Sequence, residues 1–302
     1  MAYYLAEDMQ PYYTVERPGF RKLILKLNPR YHLPSRKYFS QQEIPQLYTK
    51  VKESIVIPKL AEIEYFSATT DLWTSRATHP YLSYTVHFVD HNWDLKSFCL
   101  ETVPLFDDHT GANISESIAD IMANWQLSTD KLVVTTTDNG SNFVAAFHST
   151  GSARLSCFGH CLDLAIQKCL GKSEIDRALG SCNTLVAAFH RSWKKQRDLK
   201  GKQIQLGLKE HKLISSVKTR WGSTYNMIER ILEQQQAVSA VLAEDHKSYI
   251  MPTDAQFSVL EKLAKVLEPL HFLTDALAGE QEVTASTITP ILKHIMTNDS
   301  WS

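Results

Sequence analysis

The sequence predicts an α/β fold in which a mixed β-sheet is interrupted by an all-helical insertion. Two short runs rich in apolar and β-branched residues end at Asp71 and Asp138, and each gives way to turn-forming residues. Such runs are typical of buried strands, and Asn139-Gly140 is a strong turn signal. Apolar residues recur at three- and four-residue spacing over 225–243 and 257–277, which predicts a helix in each range, with Pro252 and Pro269 as breaks. The chain therefore combines a sheet with a large helical region.

The segments between and after the two aspartates follow a definite order. Two alternating segments joined by the short turn 91–94 predict a hairpin that extends the Asp71 strand into a three-stranded meander. The helix that follows has Glu116 three residues past Asn113, a spacing typical of a capping box. In order, we expect strands at 81–90 and 95–105, a helix at 113–125, the Asp138 strand, a helix at 143–147 and a strand at 153–157.

This order, β-β-β-α-β-α-β, is the ribonuclease-H-like arrangement, in which the first and fourth strands are neighbours. Their adjacency would bring Asp71 and Asp138 together although they are far apart in the sequence. A carboxylate at a strand end is held rigidly and faces solvent, which suits a divalent metal ion. In the alternative interpretation, each aspartate is only a turn residue that caps the next segment.

Five blocks of the sequence carry a family resemblance. They are TTDLWTS, TTDNGSN, CFGHCLDLA, TRWGS and LEPLHFLTDALAGEQEVTASTITPIL. Their order resembles that of hAT-superfamily transposases, and especially of the BED-zinc-finger proteins descended from them. Residues 20–40 are similar to the segment that follows the BED finger there, so the resemblance covers nearly the whole chain.

The resemblance implies a catalytic and metal-binding triad of Asp71, Asp138 and Glu280, with Glu282 as the alternative third carboxylate. Three carboxylates can hold two Mg²⁺ or Mn²⁺ ions roughly 3.5–4 Å apart for an in-line displacement at phosphorus. Such hard cations prefer oxygen ligands, and no small-molecule cofactor is expected. In the alternative interpretation, Glu280 is a solvated charge beside Gly279.

A chain of 302 residues exceeds the usual size of one domain. We expect a helical lead-in at 1–62, the first part of the ribonuclease-H-like core at 63–170, a helical insertion at 171–266, and a truncated return to the core at 267–302. A BED finger before Phe20 and the C-terminal dimerisation region of the family are both missing. We therefore expect a fragment or a truncated derivative, whose full-length form is a homo-oligomer.

Composition narrows the setting of the protein. The formal net charge is −1, with 43% hydrophobic and 22% charged residues, as in an ordinary globular protein. The N-terminus lacks the pattern of a signal peptide, and no apolar run reaches the roughly 18 residues of a membrane span. Five cysteines without a secretory signal indicate reduced thiols in a nuclear or cytosolic setting. The family resemblance implies the nucleus, and no membrane partner is expected.

The charge distribution suggests DNA as the partner. Residues 181–230 hold eleven Lys and Arg residues against three acidic ones, a net charge of +8. The basic run 190–202 contains Trp193 and is a candidate phosphate-contacting surface, with Lys194, Lys195 and Arg197 as the contacts. The alternative is a solvated helix face, the more common role of a charge run.

Trp221, preceded by Arg220, has two interpretations of about equal weight. The resemblance implies that the indole stacks on a base flipped out near the cleavage site, with Arg220 beside it at the DNA. Such stacking contributes about 1–3 kcal/mol per base. The alternative is a core tryptophan that anchors the insertion, a role expected also of Trp73, Trp93, Trp125 and Trp193.

Cys157 and His160 have the spacing of half a zinc site, but no second pair with finger spacing follows. The helix after His160 is apolar on much of its surface. We therefore expect Cys157 and His160 to form a structural motif, and no zinc.

The sequence thus predicts a transposase-derived DNA-binding protein with a metal-dependent site for DNA strand cleavage or transfer, whose activity is doubtful in this fragment. The rival interpretation is a non-catalytic nuclear transcription regulator or protein-interaction scaffold with the same fold. An unrelated ribonuclease-H-like nuclease is a third. Motifs of nucleotide hydrolases, dinucleotide-binding proteins, serine hydrolases and zinc proteases are absent from the sequence.

Overall fold

The structure is a computed structural model that describes residues 1–217, 220–246, 250–279 and 284–297. The chain divides into two compact units. The first comprises Met1–Thr135 with Val144–Arg154, and the second comprises Thr136–Phe143 with Leu155–Ser302. Among the described helices, none has the length and apolar character that crossing a bilayer requires.

The β-sheet has five strands in the order β3-β2-β1-β4-β5. The pairs β1–β2 and β2–β3 are antiparallel. The predicted order of elements is confirmed, and so is the adjacency of the first and fourth strands. The strands are β1 (Phe66–Thr74), β2 (Pro80–Val89), β3 (Leu95–Pro104), β4 (Leu132–Thr137) and β5 (Arg154–Ser156).

Alternation along β2 fixes which face of the sheet is buried. Leu82, Tyr84 and Val86 are each fully buried, whereas the residues between them are partly exposed. Side chains of a strand alternate between faces, so a shift of one residue would expose this apolar row to water. The register Thr70↔Tyr84 places the buried Thr70 on the same face, and Asp71↔Ser83 therefore lies on the opposite one.

The remainder of the first unit is helical. Its helices are α1 (Ala2–Glu7), α2 (Pro18–Leu27), α3 (Arg36–Tyr38), α4 (Ile44–Val51), α5 (Ile57–Glu62) and α6 (Gly111–Asn124); α7 (Ser141–Thr150) begins in the second unit. Pro45 and Pro58 follow π-helical turns at Phe39–Glu43 and Lys52–Val56. Proline lacks an N–H and crowds the preceding turn, and a wider turn gives its ring room.

Helix α6 begins earlier than the sequence predicts. The predicted cap was Asn113, but the hydroxyl of Thr110 accepts a hydrogen bond from the Asn113 backbone N–H at 3.3 Å. Threonine is a favoured capping residue because its oxygen satisfies an otherwise unpaired N–H of the first turn. The capping signal was therefore present three residues upstream of the predicted one.

The second unit is mainly helical beyond β5. Its helices are α8 (Phe158–Leu170), α9 (Ser173–His190), α10 (Trp193–Gln205), α11 (Trp221–Glu233), α12 (Gln235–Glu244), α13 (Asp254–Leu277) and α14 (Ile288–Thr297). Their apolar faces form one core, whose fully buried members include Cys182 and Leu185 of α9, Ile228 of α11, Leu242 of α12 and Leu260 of α13. The predicted helical character of this region is confirmed.

Two helix boundaries differ from prediction. Residues 225–243, expected as one helix, form α11 and α12, which meet at Gln234. This side chain is fully buried, donates to the Lys209 carbonyl at 3.1 Å and accepts from Gln203 at 2.8 Å. Pro269, expected as a break, lies inside α13, which continues through it. The sequence pattern could not show these long-range hydrogen bonds.

Candidate functional site

Asp71 lies within β1 rather than at its end. The strand continues to Thr74, because pairing with β2 runs through Thr74↔Pro80 and Trp73 stacks on Tyr81 at 6.0 Å between ring centroids. The prediction that Asp71 closes its strand is therefore wrong. Its carboxylate is exposed, and its Oδ1 accepts the backbone N–H of Leu72 at 2.9 Å.

Asp138 directly follows β4, as predicted. Its Oδ1 accepts the backbone N–H of Gly140 at 2.8 Å, which closes a small turn before α7. The turn interpretation is thus correct, yet it does not exclude a metal role. A carboxylate has lone pairs for several partners, and the turn holds this one in a fixed orientation.

Gly140 is required by the way the Asp138 loop folds. A Cβ atom at this position would lie 2.6 Å from the Asn142 side-chain oxygen and 3.0 Å from Asp138 Oδ1. Both atoms belong to side chains that could rotate away, so a larger residue would displace the carboxylate rather than the backbone. The Asn-Gly pair, which the sequence marks only as a turn, therefore also positions Asp138.

The third carboxylate falls outside the part of the chain that the structure describes. Helix α13 ends at Leu277, and Glu280 and Glu282 both lie in the undescribed segment 280–283. Within the described ranges, no three His, Cys, Asp or Glu side chains gather as a metal-binding group. The triad of Asp71, Asp138 and Glu280 remains a prediction.

Cys157 and its neighbours are linked to the Asp138 loop. The Cys157 backbone N–H donates to the Thr137 carbonyl at 2.8 Å, and the Asn139 side-chain amide donates to the Cys161 sulfur at 3.0 Å. Cys157 precedes α8, on which His160 and Cys161 lie partly buried. The contact between Asn139 and Cys161 was not predicted, because nothing local in either block indicates that they meet.

Trp221 is the first residue of α11 and is only 3% exposed. Its backbone N–H donates to Asp163 Oδ1 at 3.4 Å, and its ring meets His271 edge-on at 6.0 Å. This burial fits the core interpretation, since stacking on a base would require the ring to leave the core. Arg220, the residue before the helix, is exposed.

Of the other tryptophans expected in the core, one is buried and three are exposed. Trp125 is 3% exposed, which confirms its core role. Trp73, Trp93 and Trp193 are exposed, so the prediction for these three is wrong. Trp93 occupies the β2–β3 turn with a φ of 65°, and Trp193 opens α10, where the Arg197 guanidinium lies 5.1 Å from its ring centroid.

The basic run on α10 is largely neutralised by carboxylates. Lys195 is 6% exposed and pairs with Asp245, which also lies 3.8 Å from Lys194. Arg197 binds the adjacent Asp198 at 2.7 Å. Two further pairs are Lys200–Glu210 at 2.9 Å and Lys202–Glu244 at 2.5 Å. The charge count over residues 181–230 left out Glu244 and Asp245, which neutralise lysines of this run. The burial of Lys195 contradicts its predicted contact with DNA.

A sheet of order β3-β2-β1-β4-β5, with Asp71 on β1, Asp138 after β4 and a helical region beyond β5, is ribonuclease-H-like. Two family models match the sheet-containing part and the helical part of the chain separately. Residues 69–154 match the ZBED1 RNase-like domain, and residues 155–266 match the ZBED1 RNase-like helical domain. The chain belongs to the hAT-transposase-derived family of BED zinc-finger proteins.

Curated relatives extend well beyond this chain. "Zinc finger BED domain-containing protein 4" of Homo sapiens is 27% identical over 95% of the chain and 25% of its own length. "Putative AC transposase" of Zea mays is 28% identical over 91% of the chain and 36% of its length. "Putative transcriptional regulator tpeD" of Talaromyces stipitatus is 23% identical over 98% of the chain and 39% of its own length. The chain thus spans about a quarter to two fifths of the length of these relatives.

Proposed function

We propose that this chain is the ribonuclease-H-like part of a nuclear, DNA-binding, transposase-derived protein. In this proposal, Asp71, Asp138 and a glutamate after α13, Glu280 or Glu282, hold Mg²⁺ or Mn²⁺ for DNA strand cleavage or transfer. The observation that carries the proposal is the adjacency of β1 and β4, the strands that bear or precede the two aspartates. Family membership supports the same conclusion.

The donor set fits hard divalent cations. The two described candidates offer carboxylate oxygens, which Mg²⁺ and Mn²⁺ prefer. When bound, such ions supply charge stabilisation for an in-line displacement at phosphorus. The chain itself orients the ligands: Gly140 donates its N–H to Asp138 Oδ1, and Leu72 donates its N–H to Asp71 Oδ1. A pre-oriented ligand loses less freedom when the metal binds.

Cleavage is proposed for the assembled full-length protein, which we expect to be a homo-oligomer. The chain spans only part of its relatives, and the resemblance to hAT transposases implies that cleavage requires an assembled oligomer. Residues 1–302 alone are therefore expected to nick supercoiled plasmid weakly or not at all in Mg²⁺. Robust nicking that disappears in Asp71→Asn would contradict this expectation while supporting the site.

Metal-dependent DNA binding tests the proposal without requiring turnover. Anisotropy of a labelled duplex should report tighter binding when Mn²⁺ is added to the wild type and to a control, Asp120→Asn, whose carboxylate is exposed on α6. Asp71→Asn and Asp138→Asn should lose that gain, because each removes a proposed ligand. Equal gains in all four proteins would overturn the proposed site.

The second candidate is a nuclear regulator that binds DNA or protein without catalysis. The Talaromyces relative is named a putative transcriptional regulator, which favours a regulatory role for that protein. This second candidate predicts the opposite outcome of the same assay, namely duplex binding that Mn²⁺ leaves unchanged. Absence of any DNA binding would favour the protein-interaction scaffold.

A further inference from the structure

The segment 17–37 in the first unit is the most one-sided in charge. It contains seven Lys and Arg residues, and no acidic residue occurs from position 17 to position 42. All of the segment belongs to the described ranges. The seven basic residues are Arg17, Arg21, Lys22, Lys26, Arg30, Arg36 and Lys37.

These cations differ from those of α10 in two respects. All seven are exposed, whereas Lys195 of α10 is buried. None of the seven makes an ion pair with a described carboxylate, whereas five cations of α10 do. Cations that pair with no carboxylate keep their charge directed towards solvent, which attracts polyanions.

Helix α2 presents its cations on the side away from the protein. Phe20 and Ile24, the only partly buried large residues of this helix, lie on one face, and Phe20 stacks on Tyr4 at 5.7 Å. At 100° per residue, Lys22 and Lys26 share another face, one turn apart. Like charges at this spacing repel, a cost that a bound polyanion removes.

Exposed aromatic rings accompany the cations in the sequence: Tyr31 lies among them, Tyr13 precedes them and Tyr38 follows them. Tyr13, Tyr31 and Tyr38 are 44%, 39% and 37% exposed. Tyr13 also holds Arg17, whose guanidinium donates to the Tyr13 hydroxyl at 3.0 Å. Tyrosine and arginine both contact phosphate and sugar groups in nucleic-acid complexes.

Exposed leucines on α2 raise the alternative of an anionic membrane surface. A helix that lies in a membrane interface separates its apolar face from its charged face. Here Leu23 and Leu27 share the side of Phe20, whereas Leu25 lies between Arg21 and Lys22 around the helix axis, so the apolar and charged faces are only partly separated. Arg30, Arg36 and Lys37 lie beyond the helix altogether. The pattern favours a nucleic-acid backbone.

We infer that residues 17–37 form the main phosphate-contacting surface for duplex DNA, which we call the lead-in surface. The inference rests on the proposed DNA-binding function. It transfers the principal contacts from Lys194, Lys195 and Arg197 on α10 to α2 and the segment after it. Recognition through phosphates positions DNA without specifying its sequence.

Two charge-matched variants test the lead-in surface by the salt dependence of duplex binding. The first carries Lys22→Gln, Lys26→Gln, Arg30→Gln and Arg36→Gln. The second carries Lys194→Gln, Arg197→Gln, Lys200→Gln and Lys202→Gln, and leaves the buried Lys195 intact. Each loses four positive charges, so a general effect of net charge would be the same in both.

The slope of log K against log salt should flatten by about 0.9 for each phosphate that a variant no longer neutralises. We expect a flattening of about 2–4 in the first variant and little change in the second. A third protein with Lys22→Arg and Lys26→Arg should keep the wild-type slope, because its charges remain. Circular dichroism of each variant checks that it is folded, which we expect because the changed side chains of the lead-in surface are all exposed.

Other outcomes overturn the inference in distinguishable ways. An equal flattening of the salt slope in both four-residue variants would indicate an effect of net charge alone. A flattening only in the second variant would assign the phosphate contacts to α10. A wild-type chain that binds no duplex would remove the proposed DNA-binding function as well. Binding of the lead-in surface to phosphatidylserine vesicles, with an unchanged slope on DNA, would identify the membrane alternative.

Discussion

Lys194 and Lys195 are adjacent in the sequence and approach the same carboxylate, yet their surroundings differ. The Lys194 side chain is 66% exposed, whereas that of Lys195 is 8% exposed. An exposed pair contributes about 0–1 kcal/mol because water and salt screen it. Removing one partner of a buried pair leaves a charge uncompensated and costs more.

Lys195→Gln should therefore lower the free energy of unfolding by about 1–3 kcal/mol, less than for a fully buried pair, because the Asp245 side chain is 29% exposed and keeps Lys194. Lys194→Gln should change it by less than about 1 kcal/mol. Urea denaturation of both variants measures the difference. Equal losses would show that the burial of Lys195 has no energetic consequence.

His87 on β2 should make the stability of the fold depend on pH. Its Nε2 lies 3.0 Å from Thr69 Oγ1 and its Nδ1 lies 2.7 Å from Ser97 Oγ. Burial lowers the pKa of His87 below its usual value. The unfolded chain then binds the proton first as pH falls below about 6.5, so stability present above that pH is lost on acidification.

The melting temperature of the wild type should fall between about pH 7.5 and pH 5.5 by more than that of His87→Gln. His32→Gln, which changes an exposed histidine, should behave as the wild type. Thermal unfolding across this range measures both differences. An identical fall in all three proteins would exclude His87 as a source of the pH dependence.

At the scale of elements, the order of strands and helices was predictable, because the spacing of apolar residues and the turn-forming residues are local signals. Asp138 after β4 followed from Asn139-Gly140. The end of β1 did not, because pairing with β2 carries that strand past Asp71. The neutralisation of α10 was equally hidden, since Asp245, which pairs with Lys195, directly follows α12 and lies 50 residues further along the chain. Contacts between distant segments leave no mark in a local pattern.

The packing of α6 against α7 depends on Gly111. A Cβ atom there would lie 2.9 Å from both Ala145 Cβ and the Ala146 backbone nitrogen, and Ser115 Oγ also donates to the Ala146 carbonyl at 3.1 Å. Gly111→Ala should therefore lower the free energy of unfolding by about 1–3 kcal/mol through overpacking.

The matched control is Gly19→Ala on α2, where nothing lies within 4 Å of the added atom. This change should raise the free energy of unfolding by roughly 0.5–1 kcal/mol, because alanine favours the helix. Chemical denaturation of both variants gives the comparison. A neutral Gly111→Ala would show that α6 and α7 can separate freely.

At the scale of the whole molecule, the sheet order and the family models agree on a ribonuclease-H-like core with a helical domain. Asp71 and Asp138 lie in different units of the chain, and Glu280 lies outside the described residues. The central claim is that these residues serve one metal centre. The sequence suggested that centre through a family resemblance, because no local pattern links three residues so far apart.

Calorimetric titration of Mn²⁺ tests this claim most directly, with the wild type, Asp71→Asn, Asp138→Asn, the double variant and the Asp120→Asn control. Two ligands of one centre act together, so each single change should weaken binding at least about tenfold, and the double variant should lose little more than either single one. The control should bind as the wild type. Undiminished binding by Asp71→Asn and Asp138→Asn would contradict the account.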